Sequence, residues 1–97
     1  MSFAIFSNAQ TATSVTNGSF LNPSTWDCMC IPTDGYTITI AHDVTLSIDY
    51  MMISGVMTIN SGASLVESGT GHGILFTGTS SFNVLGTFTF SKLALYS

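Results

Sequence analysis

The residues of this chain that could do chemistry are few and widely spaced. His42-Asp43 sets an imidazole beside a carboxylate, the pairing a general base would use. Neighbours on a strand point to opposite faces, however, so the pair does not converge by itself. A turn between strands, with the ring hydrogen-bonded to backbone, is the simpler expectation for His42. Asp43 and Asp49 are separated by a strand, Lys92 stands alone near the end, and Arg is absent. The paired acids of a glycoside hydrolase and the basic residue of a polysaccharide lyase therefore have no counterpart, and no catalytic residue is assigned. Gly69-Thr70-Gly71-His72-Gly73 lacks the lysine and following helix of a phosphate loop, which leaves His72 as an exposed loop residue.

Cys28 and Cys30 are separated by one residue. Zinc needs about four ligands, and only His42 and His72 remain to be recruited, so no metal and no cofactor is expected. A local disulfide between Cys28 and Cys30, or two buried thiols, is the preferred reading. Trp26 and Phe20 could form a stacking platform for a sugar, although aromatics in such a position more often plug the end of a core. Thr37/Thr39 and Thr87/Thr89 could make an outward ladder of the kind that orders water or ice. Threonine is also the ordinary solvent-facing choice in a strand.

The elements that must hold these residues are strands. Tyr36-Thr37-Ile38-Thr39-Ile40, Val44-Thr45-Leu46-Ser47-Ile48, Met57-Thr58-Ile59 and Phe88-Thr89-Phe90 alternate apolar with Thr or Ser, and no stretch carries helical spacing. Short breaks follow at Ala41 to Asp43, Ser54-Gly55, Asn60 to Gly62, Gly69 to Gly73, Gly78-Thr79 and Leu85-Gly86. Ile53 to Ile59 can be laid over Val84 to Phe90, 31 positions later, with Gly55 on Gly86. This rhythm predicts an all-β, single-stranded parallel β-helix, a β-solenoid whose Ile38, Ile40, Leu46 and Ile59 point inward. Residues 36–97 are its coils. Residues 11–35, with little alternation and both prolines, both cysteines and the lone Trp, are expected to form a loop-rich N-terminal cap. Residues 1–10 read as a first strand or as the remnant of a secretory signal cleaved after Ala9.

Composition limits the function. In 97 residues the apolar fraction is 45%, yet only 6% are charged, with five acids against one lysine. Fourteen serines and fourteen threonines build the polar surface instead. With so few cations, nucleic acid is not an expected partner. No apolar run approaches the about eighteen residues of a membrane-spanning helix. So weakly charged a surface suits assembly or adhesion.

Two stretches carry a resemblance. Gly18-Ser19-Phe20-Leu21-Asn22-Pro23-Ser24-Thr25-Trp26, followed by Ile31 to Ile40 and His42-Asp43-Val44-Thr45-Leu46, is similar to the opening of β-helical segments in large secreted proteins of gliding bacteria. Gly55-Val56-Met57-Thr58-Ile59-Asn60-Ser61-Gly62-Ala63-Ser64-Leu65 resembles the coil that follows in such proteins. More distantly, the chain is similar to the eight-glycine extracellular domain family. The likeness spans residues 18–96, and Asn22 to Trp26 is its most specific part. Phe20 and Gly35-Tyr36 depart from the family pattern at the first corner.

The resemblance implies a secreted or cell-surface protein exported by the type IX route, structural or adhesive in role, and a fragment of a longer chain. Its partners would be other copies of itself or further coils of the same protein, with glycans as a further candidate. A carbohydrate-binding module, or a fragment of a polysaccharide-active β-helix enzyme, is the alternative.

Overall fold

A computed structural model describes residues 10–95, with side chains for residues 10–91. The chain is an all-β parallel solenoid of about three turns. Each strand pairs in parallel with strands one coil away, and the strands form three sheets. The first sheet stacks β1 (Thr11–Thr13), β3 (Thr37–Ile40), β6 (Val56–Ile59) and β9 (Ser81–Val84). The second stacks β2 (Gly18–Ser19), β4 (Asp43–Leu46), β7 (Ser64–Glu67) and β10 (Thr87–Thr89). The third stacks β5 (Tyr50–Met52), β8 (Gly73–Phe76) and β11 (Lys92–Leu95). No antiparallel hairpin joins consecutive strands among the described residues.

The period-two pattern explains the stacking. Inward positions of one rung lie on inward positions of the next: Ala12 on Ile38 on Met57 on Phe82, and Val44 on Leu65 on Phe88. Ile38, Ile40, Leu46 and Ile59 are all fully buried. Burying each such side chain contributes about 1.5–3 kcal/mol, and the interior is one continuous apolar column.

Two expectations need correction. The 31-residue echo is not the coil length: Thr37 pairs with Val56, 19 positions on, and Val56 with Ser81, 25 positions on. The echo instead lays a corner before the first sheet over a corner before the second. Its two glycines share a local cause, because a Cβ on Gly55 would strike the Tyr36 carbonyl and a Cβ on Gly86 those of Asn60 and Ala63. Coils of unequal length cannot produce a regular sequence period.

The second correction concerns residues 11–35. They are not all cap, since β1 and β2 are rungs of the first and second sheets. Three residues with an alanine at the inward position, and two residues with a glycine, are too short for alternation to register. Only the stretch from Phe20 to Tyr36 is irregular, with one short 3-10 turn at Pro23–Thr25 whose N-cap Asn22 accepts the Ser24 amide. The reading of residues 1–10 as strand or signal remnant falls, apart from Gln10, outside the described residues.

Candidate functional site

The two ends of the solenoid are built differently. At the N-terminal end, the chain returns from the 3-10 turn and lies antiparallel along the free edge of β1, bridging Ser14 and Trp26. Val15 N donates to Thr25 O at 2.8 Å and Asp27 N to Thr13 O at 2.9 Å, while Thr13 N donates to Asp27 Oδ1 at 3.0 Å. This occupies the Thr13 to Val15 end of an edge that the first sheet would otherwise offer to another chain. Beneath it, Trp26 packs edge-on to Phe20, and Phe20 edge-on to Tyr50.

Trp26 and Phe20 are both 0% exposed, and the indole donates to the Phe20 carbonyl at 2.9 Å. Trp26 and Phe20 therefore cannot serve as a sugar platform or ligand-binding pair, and they plug the end of the core, the commoner role for aromatics in such a position. The reason is the chain reversal, which turns both rings onto the open end of the apolar column. Cys28 and Cys30 are joined by a disulfide in the same segment, with the Tyr36 hydroxyl 3.6 Å from Cys30 Sγ. Between them Met29 takes a left-handed conformation, φ 56°, and is exposed.

At the opposite end the interior is less covered. Phe82, Phe88 and Phe90 are only partly buried, and Val84, which lies on the buried Ile59, is 43% exposed. Phe76 stacks on Phe82, Phe82 meets Phe88 edge-on, and Phe88 stacks on Phe90. The outer edges of β9, β10 and β11 have no strand partner among the described residues, as is also true of β2 and β5 at the N-terminal end, so the ends differ in how the core and the β1 edge are covered.

The carboxylates hold corners. Asp34 Oδ1 accepts the amides of Ile53 at 2.7 Å and Ser54 at 2.9 Å, one coil on. Asp49 Oδ1 accepts the Gly73 amide at 2.8 Å, and Asp43 Oδ1 the Ser64 hydroxyl at 3.0 Å. Glu67 uses both oxygens: Oε2 accepts the His72 amide, and Oε1 accepts the Ser91 amide and hydroxyl. With Asp27 on Thr13, all five acids of the chain accept a hydrogen bond from another segment, Asp43 doing so from strand to strand on the second sheet rather than at a corner. The Ser54 amide, with that of Ile53, holds the Asp34 carboxyl below the usual carboxylate range; the Ser91 hydroxyl and the His72 amide do the same for Glu67. Burial pushes the Tyr50 phenol up, with the Asp34 charge adding to it, and its hydroxyl donates to the Pro32 carbonyl at 3.0 Å.

The histidines are placed apart. His42 Nδ1 lies 2.9 Å from the hydroxyl of buried Ser14, which also accepts the Ala41 amide at 2.8 Å. Its ring therefore bonds a side chain of the preceding coil rather than backbone. His72 is half-buried instead of exposed, because Glu67 draws its amide in. Among the described residues no three of His, Cys, Asp and Glu form a group able to hold a metal. No helix of the described residues is long and apolar enough to cross a membrane.

The threonine pairs are redistributed. Thr37/Thr39 lie on the first sheet and Thr87/Thr89 on the second, so they do not share a ladder. The rung-to-rung neighbours of Thr37 and Thr39 are Thr11 and Thr13 on one side, Val56 and Thr58 on the other. Thr11 and Thr13 were hidden by their place in the alternation-poor segment. Ser14, Asp34 and Glu67 likewise carry no local signal, because each acts on a residue 20 or more positions away.

The fold and these corners define a β-solenoid. No protein-family model, curated protein or solved structure matches the chain.

Proposed function

We propose that the chain is a non-catalytic structural module of a secreted or cell-surface protein, one that builds a stalk, layer or fibre by stacking coil upon coil. The observation that carries this reading is the asymmetry of the ends. At the N-terminal end an antiparallel segment bridges the end of β1 and two aromatics are fully buried over the column, while the last rung leaves Val84 43% exposed over a partly covered phenylalanine stack. An edge of this kind is a template for another coil, either of the same chain or of a second copy.

The secreted location and the kinship with β-helical proteins of gliding bacteria exported by the type IX route rest on the resemblance of Gly18 to Leu46 and Gly55 to Leu65. The paucity of charge on the faces supports the same reading. A sugar-binding role would need a platform other than Trp26 and Phe20. An enzymatic role would need carboxylates released from the corners they hold.

Light scattering over a wide concentration range tests the proposal. The chain is expected to associate as concentration rises, and Val84→Lys, which places a charge at the open end, is expected to remain monomeric. A chain that is strictly monomeric throughout would sink the reading.

A further inference from the structure

The three outward faces differ in chemistry. The third sheet presents Met51, 52% exposed, with Leu75 in register. The second presents Asp43, Ser64 and Thr87 in one file, so it carries a charge. The first presents Thr11, Thr37, Val56 and Ser81 in one file and Thr13, Thr39, Thr58 and Asn83 in the next. No ionisable side chain lies in these two files.

Register in the first sheet is kept without a bulge across four rungs, each outward position facing the equivalent one in the next strand. Parallel strands set these files about 4.8 Å apart from rung to rung, with about 6.6 Å between the two positions on one strand. Five of the eight positions are threonine, each offering a methyl and a hydroxyl on a rotamer-restricted side chain. Within the files, the hydrogen bond recorded for these hydroxyls is from Asn83 Nδ2 to Thr58 Oγ1, at 3.5 Å. The residues that carry the remaining hydroxyls are exposed or half-buried on the solvent side of the sheet.

We infer that this face binds ice. Two parallel files, in which six of eight positions carry a hydroxyl and six a methyl, set these groups at spacings near those of the oxygen sites on the prism planes of hexagonal ice. Water ordered between the methyls and held by the hydroxyls can therefore merge with the lattice. The same register that makes the face a solenoid side makes it periodic, so the site needs no residue beyond those of the rungs. A crystalline polysaccharide would also match a periodic surface, but recognition of sugar rings draws on exposed aromatics, and these two files hold none.

Growth of single ice crystals and inhibition of ice recrystallisation in the full chain test the inference, with partition onto ice and onto microcrystalline cellulose or chitin run in parallel. The wild-type chain is expected to facet ice, slow recrystallisation and partition onto ice rather than polysaccharide. Thr39→Tyr and Thr58→Lys, both on the face, are expected to lose these effects; Thr45→Tyr, exposed on the second sheet, is expected to keep them. Circular dichroism and thermal melting of each variant separate loss of the face from loss of the fold, and the two face variants are independent of each other. Absence of faceting by the wild-type chain, retention by a folded face variant, or partition onto polysaccharide alone would overturn the inference.

Discussion

The two ends of this solenoid use the same material, aromatic rings over an apolar column, in opposite ways. At the N-terminal end Trp26 and Phe20 are fully buried, the indole N–H is satisfied, and the end of the β1 edge is bridged. At the other end Phe82, Phe88 and Phe90 stack on Phe76 but stay partly open, beside edges with no described partner. The difference teaches that a solenoid is closed by chain reversal rather than by aromatic content. The antiparallel return covers the core with two rings and at the same time bridges the end of the β1 edge.

The sharpest way to break the comparison is to truncate one ring at each end. Trp26→Ala is expected to cost about 3–5 kcal/mol, the range for a fully buried large aromatic. Phe82→Ala, already partly exposed, should cost about 1–2 kcal/mol on the same scale, discounted for its exposure. Urea unfolding followed by far-ultraviolet circular dichroism reads both, and equal losses would mean that the last rung is as closed as the first. A smaller effect is expected on replacing Cys28 and Cys30 together by serine. The loop they close is short, so the entropic gain is about 1–2 kcal/mol, seen as a lower melting temperature in the variant and in the reduced wild type, with no further lowering when the variant is treated with reductant.

The smallest expected effect is acid sensitivity of the corners. Asp34 and Glu67 are held below their ordinary values of 3.8 and 4.5, so the folded state favours their ionised forms. Their contribution is complete above those values and disappears as pH falls through the lowered ones. Asp34 is solvent-exposed and Glu67 only half-buried, so both are screened, which keeps the effect small. Asp34→Asn, in the corner next to the N-terminal segment, and Glu67→Gln, in the corner joining the last coils, should each flatten the loss of stability below pH of about 4.5. A melting profile against pH that is unchanged in both variants would remove the carboxylates from the corners.

Much of the fold was legible in the alternation. Thr37 to Ile40, Val44 to Leu46 and Val56 to Ile59 carry their inward and outward residues at period two, and all are strands of the solenoid. The rungs at Thr11–Thr13 and Gly18–Ser19 were not legible, because two or three residues with small inward side chains carry no period. The choice between sugar platform and core plug was open in the sequence for a related reason. Trp26 and Phe20 announce a large apolar area without announcing which side of it is covered, and cover comes from a chain reversal that no local pattern marks.

Strand periodicity, tight corners and the shortage of charge are properties of neighbouring residues, and they determined the class of the fold from the sequence alone. Which rung lies on which is set by corners of unequal length, so the 31-residue echo could not report it and only the tertiary structure decided it. The same holds for the ladder of Thr11, Thr13, Thr37, Thr39 and Thr58, and for the acids that tie one coil to the next. Those groupings join residues about 20 positions apart, a distance over which side-chain order is imposed by stacking and not by local preference.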